Sequence, residues 1–102
     1  MTMGIPPIPA AHDASMKAKL DAWLRELQTE TNALKRTTEL IALARAYMRL
    51  HYFLESSAVI KKADESLGKV TGSEDKKRLM IEINTLNANR RNAFARYMRT
   101  DH

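Results

Sequence analysis

His51 and Glu55 stand four residues apart, one turn of a helix, and that spacing could offer a metal ion two ligands. Two ligands do not make a site. The other histidines, His12 and His102, are remote in sequence, and neither His-Glu-x-x-His nor Glu-x-x-His occurs. The expected role is a half-buried histidine pairing with Glu55. Ser66, Leu67, Gly68 and Lys69 spell the Ser-x-x-Lys of a serine nucleophile with a lysine base, but its partner motifs are missing. Lys69-Val70-Thr71-Gly72 lacks the glycine-rich cradle of a phosphate loop. Asp64 and Glu65 are neighbours, and neighbours on a helix point in different directions. The absence of cysteine removes thiolate zinc sites, iron–sulfur ligation, disulfides and a cysteine nucleophile together. These residues predict no catalytic group, metal or cofactor, and a chain that is not an enzyme.

The chemistry that remains is cationic and aromatic. The formal net charge is +5, and the excess lies beyond residue 34. Arg45 and Arg49 sit one turn apart, Arg90 and Arg91 are adjacent, and Arg96 and Arg99 flank Tyr97. All six are candidates for contacts with phosphates or with an acidic partner. Trp23, Tyr47, Phe53, Phe94 and Tyr97 are the candidates for apolar contact with a partner, although Trp23 reads first as a core anchor.

Helices must position these groups. From Ala10 onward the chain has no proline, strong helix formers dominate, and β-branched residues never alternate in a sustained run. Met16, Leu20, Trp23, Leu24, Leu27 and Leu34 make a first apolar stripe, with Asp13 or Ser15 as its cap. The stripe loses phase among Thr29, Thr31, Asn32, Thr37 and Thr38, and a break is expected there with Thr37 or Thr38 capping the next helix. Leu40, Leu43, Ala44, Tyr47, Leu50 and Leu54 begin a second stripe, which Ala58, Val59, Ile60, Ala63 and Leu67 continue in shifted phase. Either one long helix drifts about its axis, or a tight corner falls near His51-Tyr52-Phe53. Gly68 takes the place of a left-handed C-terminal cap. Ser73 caps the last helix, whose core side is Leu79, Met80, Ile83 and Leu86, then Ala93, Phe94, Tyr97 and Met98, interrupted by a polar middle of Asn84, Asn87, Asn89, Arg90, Arg91 and Asn92.

Residues 38 to 68 resemble one tetratricopeptide repeat. Leu40 stands at the first large position, Leu43-Ala44 at the large-small pair and Tyr47 at the tyrosine of the first helix. Ser56, Ile60 and Ala63 follow as small, large and small, and Gly68 falls near the place of the terminal proline. The resemblance implies a two-helix hairpin that binds a peptide or protein, and no chemistry. His51-Tyr52 replaces the usual corner, and no second copy is present.

The expected fold is all-α: a small helical bundle of three or four helices in antiparallel hairpins, or with one long bent central helix. Residues 1–12 are expected to be an extended, proline-containing arm, either a frayed terminus or an arm packing Ile5 and Ile8 on a neighbour, and residues 13–102 a single helical domain. No stretch approaches the ~18 apolar residues of a membrane span. The start lacks a signal-peptide pattern, and with no cysteine the expected compartment is the cytoplasm. The functional expectation is a protein-interaction module (adaptor, chaperone-like or assembly subunit) binding a partner helix or peptide and self-associating as a dimer through its first and last helices. The alternative is a nucleic-acid-binding accessory protein that uses the Arg-rich helices.

Overall fold

The computed structural model describes the backbone of residues 7–99 and the side chains of residues 14–99. Four helices follow one another: α1 Pro7–Leu27, α2 Ala33–Arg49, α3 Phe53–Leu67 and α4 Ser73–Arg99. No strand occurs among the described residues, and none of the helices is long and apolar enough to cross a membrane. The fold is a small all-α bundle.

The backbone corrects the expected arm. Helix begins at Pro7, so an extended segment through residue 12 does not form. Proline fits a first turn, because the first amides of a helix have no intrahelical acceptor to lose. The residues before Pro7, the side chains of Ile8, His12 and Asp13, and His102 lie outside the described residues.

Helix α2 is the hub and packs against α1, α3 and α4, and α1 reaches α3 through the Lys17–Glu55 ion pair at 3.7 Å. Its buried face is Thr37, Leu40, Ile41, Leu43, Ala44 and Tyr47, a stripe at helical spacing. Helix α3 answers with Ser56, Val59, Ile60, Ala63, Ser66 and Leu67, where the small residues let the two backbones approach. Leu20 and Leu27 from α1, Val70, and Leu79, Ile83 and Leu86 from α4 complete one continuous core.

The break before α2 falls earlier than the threonines suggested. Asn32 is the cap, and its Oδ1 accepts from the Lys35 amide at 3.0 Å. Thr37 lies inside the helix, where its hydroxyl donates to Ser66 Oγ at 2.7 Å. Arg36 Nε also donates to Ser66 Oγ, at 2.9 Å, and the Arg36 guanidinium reaches the Glu30 carbonyl at 2.7 Å. This network pins the start of α2 to the end of α3. Gly68 is not left-handed. Its φ is −60°, and α3 ends in a tightened turn in which the amides of Gly68, Lys69 and Val70 each bond three residues back.

Candidate partner-binding cleft at the helical corner

The long central helix does not form, because the chain turns at Leu50-His51-Tyr52. His51 has φ 66°, the only non-glycine positive value among the described residues. The Tyr52 amide bonds the Tyr47 carbonyl at 3.0 Å, and the His51 amide bonds the Met48 carbonyl at 3.0 Å. This is a Schellman motif with His51 in the left-handed position, and its usual apolar contact is the edge-on packing of Tyr52 on Tyr47 at 6.5 Å between ring centres. Glycine would occupy that position at no steric cost. The imidazole accounts for the choice of residue, because it stacks on Phe53 at 5.8 Å and meets Tyr97 at 4.9 Å.

Tyr97 reaches the corner because α4 is long. Its 27 residues span about 40 Å, against about 22 Å for the 15 residues of α3. The last turns of α4 therefore pass beyond the shared core and cross the corner. There Phe94 packs against Phe53 at 5.4 Å, and Tyr97 against Phe53 at 5.6 Å. Phe53 is buried, but Phe94 is 44% and Tyr97 48% exposed. Met48, Arg49, His51, Phe53, Ala93, Arg96 and Tyr97 enclose an open cleft of about 550 Å³ between α2 and α4. Its lining is largely apolar and aromatic with Arg49 and Arg96 contributing, and among the described residues no carboxylate lines it.

The cleft unites part of each residue set read from the sequence: Phe53 and Tyr97 from the aromatic set, with Phe94 beside them, and Arg49 and Arg96 from the cationic set. Met48, His51 and Ala93 were missed as lining residues. The signal for His51 was its place in an aromatic triplet, His51-Tyr52-Phe53. Its pairing with Glu55 is not seen. Glu55 instead lies 3.7 Å from Lys17.

Other residues of the two sets are engaged elsewhere. Tyr47 is 1% exposed and donates its phenol proton to Asp21, so it is withdrawn from any partner-facing surface. Burial and that carboxylate push its pKa well above the usual tyrosine value. The same bond is the main reason that the Asp21 pKa is lowered, with Lys17 at 3.1 Å helping. Trp23 is half-buried against the core and donates Nε1–H to Glu39 at 3.0 Å. Arg45 lies 3.8 Å from Glu82. Arg90 is half-buried and bonds the Asn87 side chain at 3.4 Å. Arg91 and Arg99 are exposed on α4. Ser66 is 4% exposed, and its oxygen already accepts from Thr37 and Arg36. Among the described residues, no three metal-ligating side chains come together.

No protein-family model matches this chain, and neither a curated protein nor a solved structure matches it.

Proposed function

We propose that this chain is a non-catalytic protein-interaction module, an adaptor, chaperone-like or assembly subunit, that binds a partner helix or peptide in the cleft between α2 and α4. The observation that carries the reading is the corner itself. A histidine holds a left-handed position that suits glycine, and it does so where it walls an open cleft with two half-exposed rings. Strained or uncommon backbone geometry concentrates where a surface has work to do, and rigid aromatic rings are efficient anchors for a partner. The α2–α3 hairpin, with Leu43-Ala44 and Tyr47 facing Ser56, Ile60 and Ala63, supports the tetratricopeptide-like reading of the same unit. The cytoplasm is the proposed compartment, on the strength of the cysteine-free composition.

Panning a displayed peptide library against the chain tests this, with the Phe94→Ser/Tyr97→Ser double variant as the counter-target. The expected binders need both rings. A library that yields no binder, or only clones that hold both forms equally, would overturn the reading. Nucleic-acid binding is the second reading. The observation favouring it is that Ile83 to Arg99 contains four arginines and no acid, with Arg91 and Arg99 exposed. It predicts affinity for single strands that falls steeply with salt.

A further inference from the structure

We propose that a second cavity, at the opposite end of α2 from the corner, binds a small amphipathic anion, a short acyl or aryl carboxylate. Its apolar part lies on Leu24, Leu27 and Leu40, and its carboxylate meets Arg36, Lys62 and Lys69. This site is separate from the cleft and does not depend on it.

The last turns of α1 and α3 enclose the cavity over the first turns of α2, and its volume is about 230 Å³. Pockets for drug-sized ligands run to about 300–1,000 Å³, so the occupant is small. The floor is leucine, with Leu27 and Leu40 buried and Leu24 half-buried. The rim is polar, with Gln28, Lys62, Glu65 and Lys69 exposed.

Arg36 is set in place before any ligand arrives. Its Nε donates to the buried Ser66 Oγ at 2.9 Å, and its Nη1 donates to the Glu30 carbonyl at 2.7 Å. A guanidinium carries five N–H donors, and these two bonds leave the others available. Neither acceptor is a carboxylate. Among the described residues Arg36, Lys62 and Lys69 form no ion pair. The Ser-x-x-Lys letters acquire a use here without a nucleophile, because Ser66 orients Arg36 and Lys69 joins the rim.

Charge selects the ligand further. The lining sets three cations against one carboxylate, Glu65. That surplus attracts a monoanion, and Glu65 repels it less than a dianion such as phosphate. The last carbonyls of α1 and α3 would repel an anion, but the amides of residues 28–30 and 68–70 already engage them. A planar guanidinium matches a carboxylate in shape. The leucine floor rewards an apolar tail and leaves a hydrated inorganic ion without that contribution.

Titration of the full chain with hexanoate, 1-hexanol, hexylammonium and inorganic phosphate tests this, read by the methyl NMR signals of Leu24, Leu27 and Leu40. Hexanoate is expected to move those signals with a Kd of about 1 mM or below, at least about tenfold tighter than the other three. Lys62→Gln/Lys69→Gln should weaken hexanoate about three- to tenfold, and Arg36→Gln at least about tenfold. Arg91→Gln/Arg99→Gln, which removes the same charge from the last turns of α4, should change it by no more than about twofold. Arg36 also ties α2 to α3, so the exposed lysine pair decides the matter if Arg36→Gln unfolds. Hexanol or phosphate binding as tightly as hexanoate would overturn the proposal, as would an equal loss in the lysine and arginine pairs. Methyl signals that stay still at about 10 mM hexanoate would do the same. A peptide ending in a leucine carboxylate that binds about tenfold more tightly than hexanoate would assign the site to a partner chain and refute the small-molecule ligand.

Discussion

Replacing Tyr47 by phenylalanine removes one oxygen from the centre of the molecule and leaves the ring. Tyr47 is 1% exposed, packs edge-on against Tyr52, and donates to the Asp21 carboxylate, so the bond fastens α1 to α2 beneath the corner. Phenylalanine fills the same space, and no cavity contributes to the loss. A hydrogen bond to a charged acceptor is worth about 1.5–3 kcal/mol. Asp21 keeps its ion pair with Lys17 at 3.1 Å, and with 36% of its side chain exposed it also keeps water. The expected loss is therefore at the low end, about 1–1.5 kcal/mol, or about 0.5–1 M in the urea midpoint.

The pH dependence identifies the cause. The Tyr47 bond is the largest influence lowering the Asp21 pKa, and it outweighs the burial that acts in the opposite sense. A carboxylate whose pKa is lowered by folding contributes stability above its unfolded value, near pH 4, and loses it as pH falls through the folded value. The gap between wild type and Tyr47→Phe should thus be full at pH 7 and shrink on acidification below about pH 4. At the other end, folding raises the Tyr47 pKa through burial and through Asp21. Wild type therefore loses stability above about pH 10, where the unfolded tyrosine ionises, and the gap narrows there too. Urea titrations of both proteins from pH 3 to 10.5 decide it. A variant as stable as wild type at pH 7, or a gap that stays constant with pH, would refute the account.

Ser66→Ala should cost about 1–3 kcal/mol in urea denaturation, because it leaves the buried Thr37 hydroxyl without its acceptor and removes the one that Arg36 Nε uses. Leu79→Ala, at a fully buried position, should cost about 2–5 kcal/mol by the same measurement. At the corner, His51→Gly should keep the fold within about 1 kcal/mol of wild type, since glycine takes a φ of 66° without strain and only the stacking is lost. His51→Val should melt well below His51→Gly, because a β-branched residue resists that backbone.

Much of the helical framework was readable from periodicity, and what was misread came from competition between local signals. The stripe Leu40, Leu43, Ala44 and Tyr47 named the hub helix, and Leu79, Ile83 and Leu86 named the side of α4 that packs on it. Thr37 misled because threonine favours caps when its hydroxyl lacks another acceptor, and here Ser66, distant in sequence, supplies one. Pro7 and Pro9 suggested an extended arm because proline excludes helix interiors, yet the first turn makes no demand on their missing amides. Gly68 and His51 exchanged expected roles. A glycine may be left-handed but is not obliged to be, and the corner instead has the ring contacts that compensate a histidine. The cleft could not be read, because it depends on how far α4 overshoots α3, a property of packing and not of either helix.

That overshoot also explains the polar middle of α4. After Leu86 the helix leaves the core, and Phe94 and Tyr97 are its next apolar residues to meet another element, about 12 Å further along. Between them Asn89, Arg91 and Asn92 are exposed, and Asn87 and Arg90 satisfy each other along the helix. A polar residue is costly on a core-facing stripe only where a neighbour covers it. Here the neighbour has ended, since α2 stops at Arg49 and α3 begins at Phe53. Asn87, which accepts from Arg90 along its own helix, therefore calls for no second helix across from it. The dimer expected through the first and last helices loses a further support, because Trp23 is already packed within its own chain. At the end of α4 the rings of Phe94 and Tyr97 return, packed on Phe53 and half exposed. Their half-exposed state is more than folding requires, and it is at this end that the cleft and its arginines lie.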